Sequence, residues 1–200
     1  MPDHLAEDPR PPEQLLVGDL LLRRWRAGDL DALQCAVAQS LKEMRAWLAW
    51  ASDDRAAQAS FLEATAAGWE QGERFEYAIE HRDGTLLGSV GLMRRIGPGG
   101  LEIGYWVHSA HTRRGIAKLA AASLTAAAFE LPWVDHVEIH HDRENLASGA
   151  VPAGLGFQMI KEIYKPPMAQ ADSGKDLLWR LTRSEYPASR ARSLLASFGV

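Results

Sequence analysis

The chain has 200 residues, a formal net charge of −4 and 46% hydrophobic residues. That is enough for one domain with a real core, and the acidic balance argues against nucleic acid as a partner. A single cysteine, Cys35, excludes an internal disulfide and points to a reducing, cytoplasmic compartment. No apolar run approaches the roughly 18 residues that would span a membrane.

Met1 to Gln14 is rich in proline and acid and lacks the apolar stretch of a signal peptide, so residues 1–14 read as a flexible leader. Leu15 to Arg26 has a strand pattern, with Leu20 and Leu22 on one face. Asp29 caps a predicted helix to about Gln39, in which Leu30, Leu33 and Val37 fall at helical spacing. Leu41 to Trp50 reads as a linking segment, and Ser52 as the cap of a second helix to about Gln71. Phe75 to Glu80 alternates as a strand, and Asp83-Gly84 is a hairpin signal leading to a partner strand from Thr85 to Ile96. A glycine-rich turn, Gly97 to Gly100, precedes a strand from Leu101 to Val107. An alanine-rich helix follows from about Arg113 to Glu130, then a strand from Asp135 to His141. Asn145 to Gly154 is a short helix that Pro152 should bend or shorten. Phe157 to Tyr164 and Leu177 to Thr182 are strands, and the tail from residue 185 is partly helical.

The stretch from Glu102 to Ala117, EIGYWVHSAHTRRGIA, carries the clearest chemistry. It reads as a strand, a basic turn with a glycine, and a helix start. Backbone N–H groups at a helix N-terminus have no intrahelical acceptor, and the helix dipole adds partial positive charge there. Arg113 and Arg114 add full charges, so the turn suits a phosphate. The P-loop pattern is absent, because Gly115 is followed by Ile116 and Ala117. The dinucleotide fingerprint is absent as well.

These residues resemble the pyrophosphate loop of the GNAT superfamily of acyl-CoA-dependent N-acyltransferases, whose motif is roughly [QR]-x-x-G-x-[GA]. Gly115-Ile116-Ala117 matches, while Thr112 stands where the family has Gln or Arg. A second match is Asp142-Arg143-Glu144-Asn145-Leu146-Ala147-Ser148 followed by Leu155-Gly156-Phe157. It is similar to the D-x-x-N-x-x-S…L-G-F signature of the branch that includes the RimJ and RimL ribosomal-protein N-terminal acetyltransferases. Glu102 to Trp106 and Trp179 to Thr182 look like that branch too. The predicted element order over roughly residues 15–184 is the family's order.

The resemblance implies an α/β (α+β) fold with a mixed, mostly antiparallel sheet of about seven strands, splayed at its centre and flanked by about four helices. It implies acetyl-CoA, or another acyl-CoA, as co-substrate, with the acyl group moving directly to a protein N-terminal α-amine or a small-molecule amine. The amides of Thr112, Arg113, Arg114, Gly115, Ile116 and Ala117 would hold the pyrophosphate. Backbone groups of Trp106 and Val107 would hold the pantetheine arm as an added strand. Asn145 would bond the arm, or serve only as a helix cap. Glu102, on one strand face with Gly104 and Trp106, would be the base, its pKa raised by desolvation beside the aromatic; a plain strand-end salt bridge is the other reading. Ser148 would protonate the leaving thiolate, or merely pack. Trp47 and Trp50 would wall the acceptor pocket.

The remaining signals read more plainly. His136, His140 and His141 read as exposed strand histidines rather than a metal site, and His108 and His111 as solvated loop residues. Cys35 reads as a buried small residue. Leu194, Leu195 and Phe198 of the tail would pack on their own domain or on a second subunit, which leaves a homodimer open. A regulatory module that binds acyl-CoA without turnover is the non-enzymatic alternative, and a larger group such as succinyl would use the same loop.

Overall fold

The computed structural model describes residues 8–200. Gly18 decides how it begins. Its φ of +55° is a left-handed value that costs glycine little, and with Asp19 it turns the chain back so that Val17 faces Leu20. The single strand expected over Leu15 to Arg26 is therefore a hairpin, β1 (Gln14–Val17) and β2 (Leu20–Arg24). Six further strands follow: β3 (Arg74–His81), β4 (Leu86–Met93), β5 (Gly100–Val107), β6 (His136–Asp142), β7 (Gln158–Tyr164) and β8 (Lys175–Thr182). Among the described residues the sheet thus has eight strands rather than seven, in the order β1-β2-β3-β4-β5-β6-β8-β7.

Neighbours are antiparallel except β5 and β6, which run parallel and pair only from Gly100–His136 to Glu102–Glu138. Beyond that point the two strands part. From Ile103 to Val107 the β6-facing edge of β5 carries no ladder, while its other edge stays paired to β4 up to Val107. This is the expected splay.

The helices are α1 (Leu30–Trp47), α2 (Arg55–Gln71), α3 (Ile116–Glu130), α4 (Leu146–Leu155) and α5 (Arg190–Ala196). Helix α1 runs through most of the segment expected to be a linker, because Leu33, Val37, Ser40 and Met44 extend one buried stripe at helical spacing. Cys35 lies off that stripe and is exposed, not buried. Asp54, not Ser52, caps α2 by accepting from the Ala56 amide at 3.1 Å.

Two cores form on opposite sheet faces. Tyr77, Ile79, Val90, Leu92, Ile103 and Ile139 pack with α3, whose Ala120, Ala121, Ala122 and Ala128 let the helix lie close to the sheet. Ala191 and Leu195 of α5 complete that core within the same chain. On the other face Ala78 and Trp106 pack with Trp25 and the stripes of α1 and α2. Residues 8–13, read as leader, touch the domain at several points: Tyr77 donates to the Pro12 carbonyl at 2.8 Å, Trp133 to that of Pro9 at 3.1 Å, and Arg94 pairs with Asp8 at 2.8 Å. Residues 1–7 of that leader lie outside the described residues. No helix of the described residues is long and apolar enough to cross a membrane.

Candidate active site

The turn after β5 has the geometry of an anion cradle. Helix α3 begins at Ile116, so Arg113 and Arg114 belong to the turn and not to the helix as the sequence suggested. Its first main-chain bond runs from Leu119 N–H to the Gly115 carbonyl at 2.9 Å, which leaves the amides of Gly115 to Lys118 without an intrahelical acceptor. Two left-handed residues, Arg113 at φ 60° and Gly115 at φ 77°, turn the backbone and aim successive amides outward as a nest. Space beside Gly115 is open, with no atom within 4 Å of where a Cβ would stand. Thr112 braces the turn, its hydroxyl donating to the Ser109 carbonyl at 3.1 Å. Arg113 and Arg114 are exposed, Ile116 is buried and Ala117 half-buried.

Helix α1 supports the turn from behind. Ser40 accepts from the Ser109 amide at 3.0 Å. His108 is buried rather than solvated: its Nδ1 accepts from the Ala110 amide at 3.1 Å, so Nε2 carries the proton toward Gln39 Oε1, 3.0 Å away. Burial lowers its pKa, which keeps this ring neutral.

Where β5 and β6 part, the free edge of β5 at Trp106 and Val107 faces the start of α4. Asn145 is the cap of that helix, its Oδ1 accepting from the Ser148 amide at 3.1 Å, and it lines the cleft. Ser148 is held by Tyr105, which the sequence reading did not single out. Pro152 has no N–H, so the Ser148 carbonyl four residues earlier lacks its helical donor. The Tyr105 hydroxyl supplies one at 2.9 Å and lies 3.2 Å from Ser148 Oγ. Burial pushes the Tyr105 phenol up, so it stays protonated through the physiological range.

A cleft of about 1120 Å³ opens from this splay across the face of β3, β4 and β5. Trp47, Trp50, Glu102, Trp106, Asn145 and Ser148 all line it. Trp47 ends α1, and Trp50, 58% exposed, follows it. Glu102 is buried, yet it does not sit in an apolar pocket: Arg95 grips both its oxygens, Nε to Oε2 at 2.9 Å and Nη2 to Oε1 at 2.5 Å. The desolvated carboxyl of the cleft is Glu76 on β3. Burial pushes its pKa up although Arg74 and Arg95 pull it down. The available signal was a glutamate in mid-strand facing a glycine of the next strand.

The β6 histidines are not exposed, because β6 is a central strand. His141 is buried, bonded to the Asp142 carbonyl at 2.7 Å and to Trp179 Nε1 at 2.9 Å. His140 lies 2.7 Å from Glu138, a carboxylate that also holds Arg180. The acidic residues Asp142, Asp172 and Asp176 come together at the far wall, where the Lys165 ammonium sits 2.8 Å from Asp176 and counters their charge.

A family model described as acetyltransferase (GNAT) domain matches residues 19–158. Among solved structures, Mycobacterium smegmatis RimJ in complex with CoA-disulfide superposes with a TM-score of 0.79 at 24% identity, covering 92% of each chain. The microcin C7 self-immunity acetyltransferase MccE, in complex with acetyl-CoA and AMP, gives 0.78 at 18% identity over 86% of this chain and 97% of that one. RimL, a ribosomal L7/L12 alpha-N-protein acetyltransferase in complex with coenzyme A, gives 0.78 at 18% identity over 85% of this chain and 98% of that one. No curated protein matches this sequence. The solved structures share the fold, and the family model fixes the membership. This chain belongs to the GNAT family of acetyltransferases.

Proposed function

We propose that this acetyltransferase moves an acetyl group from acetyl-CoA to a primary amine by direct attack in a ternary complex. One observation carries the reading: an open amide cradle and an unpaired strand edge lie on consecutive residues, Val107 to Ala117, with the cleft at their end. In this reading the amides of Gly115 to Ala117, with Arg113 and Arg114 beside them, hold the pyrophosphate. The pantetheine adds along β5 at Trp106 and Val107, and the Asn145 amide bonds it. The thioester then lies at the head of the cleft.

The amine must reach the thioester uncharged. Its lone pair attacks the carbonyl carbon, and the nitrogen, now cationic, gives up a proton to the base. The tetrahedral intermediate collapses with cleavage of the C–S bond, and the thiolate takes a proton. Ser148 is the proposed donor, with the Tyr105 hydroxyl against it. Glu102 is the proton acceptor that the sequence suggests; with both oxygens on Arg95 it would reach the amine only through a bridging water. Holding amine and thioester together supplies much of the rate. The protein N-terminal α-amine is the acceptor class to test first, because RimJ and RimL have this fold and RimL is an alpha-N-protein acetyltransferase; small-molecule amines are the second class.

The test is thiol release from acetyl-CoA with a panel of N-terminal peptides and small amines, each product identified by mass. Release with at least one primary amine is expected. Tight coenzyme A binding with no release for any acceptor would overturn the transferase reading.

A further inference from the structure

The cleft face of the sheet is ruled into rows by strand register. Arg74, Met93 and Glu102 form one row across β3, β4 and β5; Glu76, Gly91 and Gly104 form the next; Ala78, Ser89 and Trp106 the third. The middle row holds two glycines: the Glu76 carboxyl lies over Gly91, and the Met93 methyl, from the neighbouring row, leans over Gly104. Neither glycine has a left-handed φ, so backbone conformation does not require them. What they provide is room. A Cβ on Gly91 would stand 2.4 Å from Glu76 Oε2, and its three nearest atoms all belong to that carboxyl group. Glu76 therefore lies flat over Gly91, pointing along the row toward β5.

Its two oxygens differ. Oε1 accepts from Arg74 Nε at 2.9 Å, while Oε2 has no hydrogen-bond partner among the described residues. Glu76 is 7% exposed, and Oε2 keeps a little of that exposure. A mostly buried carboxylate oxygen with no protein donor is poorly solvated, and an ammonium group would supply the missing donor. Strands lie about 4.8 Å apart, so a carboxyl over β4 is one strand from Gly104 and the adjoining free edge of β5.

We propose that Glu76 Oε2 takes the proton from the acceptor's ammonium group. This rests on the transferase reading above, and it names the residue that meets the amine directly. The N–H bond breaks with its electrons left on nitrogen, and the proton goes to Oε2. Glu76 becomes a neutral acid, the form that burial favours, and the freed lone pair faces the thioester. Glu102 is less suited to direct contact because Arg95 occupies both its oxygens.

The charges facing Glu76 are Arg74 on its own strand, Arg95 beyond β4, and Glu102 on β5 behind Arg95. Helices α1 and α2 bring Trp47, Ala57, Ser60 and Phe61 to the cleft, none of which titrates. Burial raises the pKa of Glu76 and the arginines only partly offset it. The acid limb of the rate profile is therefore expected above the ordinary carboxylate range, with activity falling as pH drops through it.

The experiment compares the parent with Glu76→Gln, Glu102→Gln and Gly91→Ala, using an amine acceptor found by the thiol-release panel. Expected for Glu76→Gln is a loss of about 10²- to 10⁴-fold in kcat, no change in acetyl-CoA binding, and loss of the acid limb. An acceptor already neutral at pH 7, such as a hydrazide, should recover most of the rate, because its attacking nitrogen needs no deprotonation before attack. Gly91→Ala, which pushes the same carboxylate aside, should lower kcat as well and add little to Glu76→Gln. A Glu76→Gln enzyme with parental kcat and pH profile would overturn the proposal, as would a loss that the hydrazide does not recover. A parent that releases no thiol with any amine overturns both readings, whereas turnover that is indifferent to Glu76 overturns this one alone.

Discussion

In the proposed reading, the donor side and the acceptor side of this cleft are built from different materials. The donor side is backbone: amides at the start of α3, the unpaired edge of β5, and a turn held by Thr112 and α1. The acceptor side is side chains that meet across strands: Glu76 over Gly91, Arg95 on Glu102, Trp47 and Trp50 at the wall. Backbone amides recognise a phosphate whatever residues carry them, provided the turn keeps its shape. The acceptor side changes with any one substitution. A fold built this way keeps one donor and varies its acceptor.

The largest expected effect strikes the donor side. Gly115→Asp puts a carboxylate where the pyrophosphate would lie, in a left-handed conformation that Asp tolerates better than most residues. Coenzyme A affinity should fall by about 10²-fold or more. The melting temperature should barely move, since a negative charge suits a helix N-terminus. Gly115→Ala carries only the conformational cost, about 1 kcal/mol, and should weaken binding far less. Titration of coenzyme A into the three proteins gives the ratio. Equal effects from Ala and Asp would mean that the turn matters for shape and not for charge.

The next effect lies between the two sides, at Tyr105. Tyr105→Phe leaves the Ser148 carbonyl without a donor, because Pro152 cannot supply one. The cost should be about 1–3 kcal/mol, or several degrees of melting temperature for a chain of this length. Pro152→Ala restores an N–H four residues on. It should therefore regain part of the loss in the Tyr105→Phe background. Thermal melts of the double-mutant cycle decide it; strictly additive effects would show that the two residues do not share this carbonyl.

What the sequence reveals follows the same division. The shape of the Gly115 turn and the Asn145 cap beside Ser148 are legible because each depends on neighbours within a few residues, and element order is legible because period survives in one dimension. Alternation along β5 puts Glu102 on one face with Gly104 and Trp106, but Arg95 lies past a turn that no period links to it. Glu76 needed the register of three strands, and Tyr105 needed to be matched with a proline on another element. Helix length is hidden where one period runs on, as at Trp47, and the first hairpin looks like a single strand because the Gly18-Asp19 turn is only two residues long. His108 and His141 look solvated in the sequence because their partners, Gln39 and Trp179, are distant in the chain.

The smallest effect belongs to the acceptor wall. Trp50 is 58% exposed and gives the main core little, so Trp50→Ala should change stability by no more than about 0.5 kcal/mol. Its ring still lines the cleft beside Phe61, and burying an apolar flank of the acceptor against it would contribute roughly 25 cal/mol per Å². For peptides with a large apolar second residue, KM should rise severalfold while kcat and acetyl-CoA binding hold. For a glycine-rich peptide of equal length, KM should stay put, because there is no apolar area to lose. If both peptides weaken alike, Trp50 shapes the wall without reading the acceptor. If neither weakens, the acceptor enters past Lys165 and the acidic wall, and the cleft has been assigned the wrong mouth.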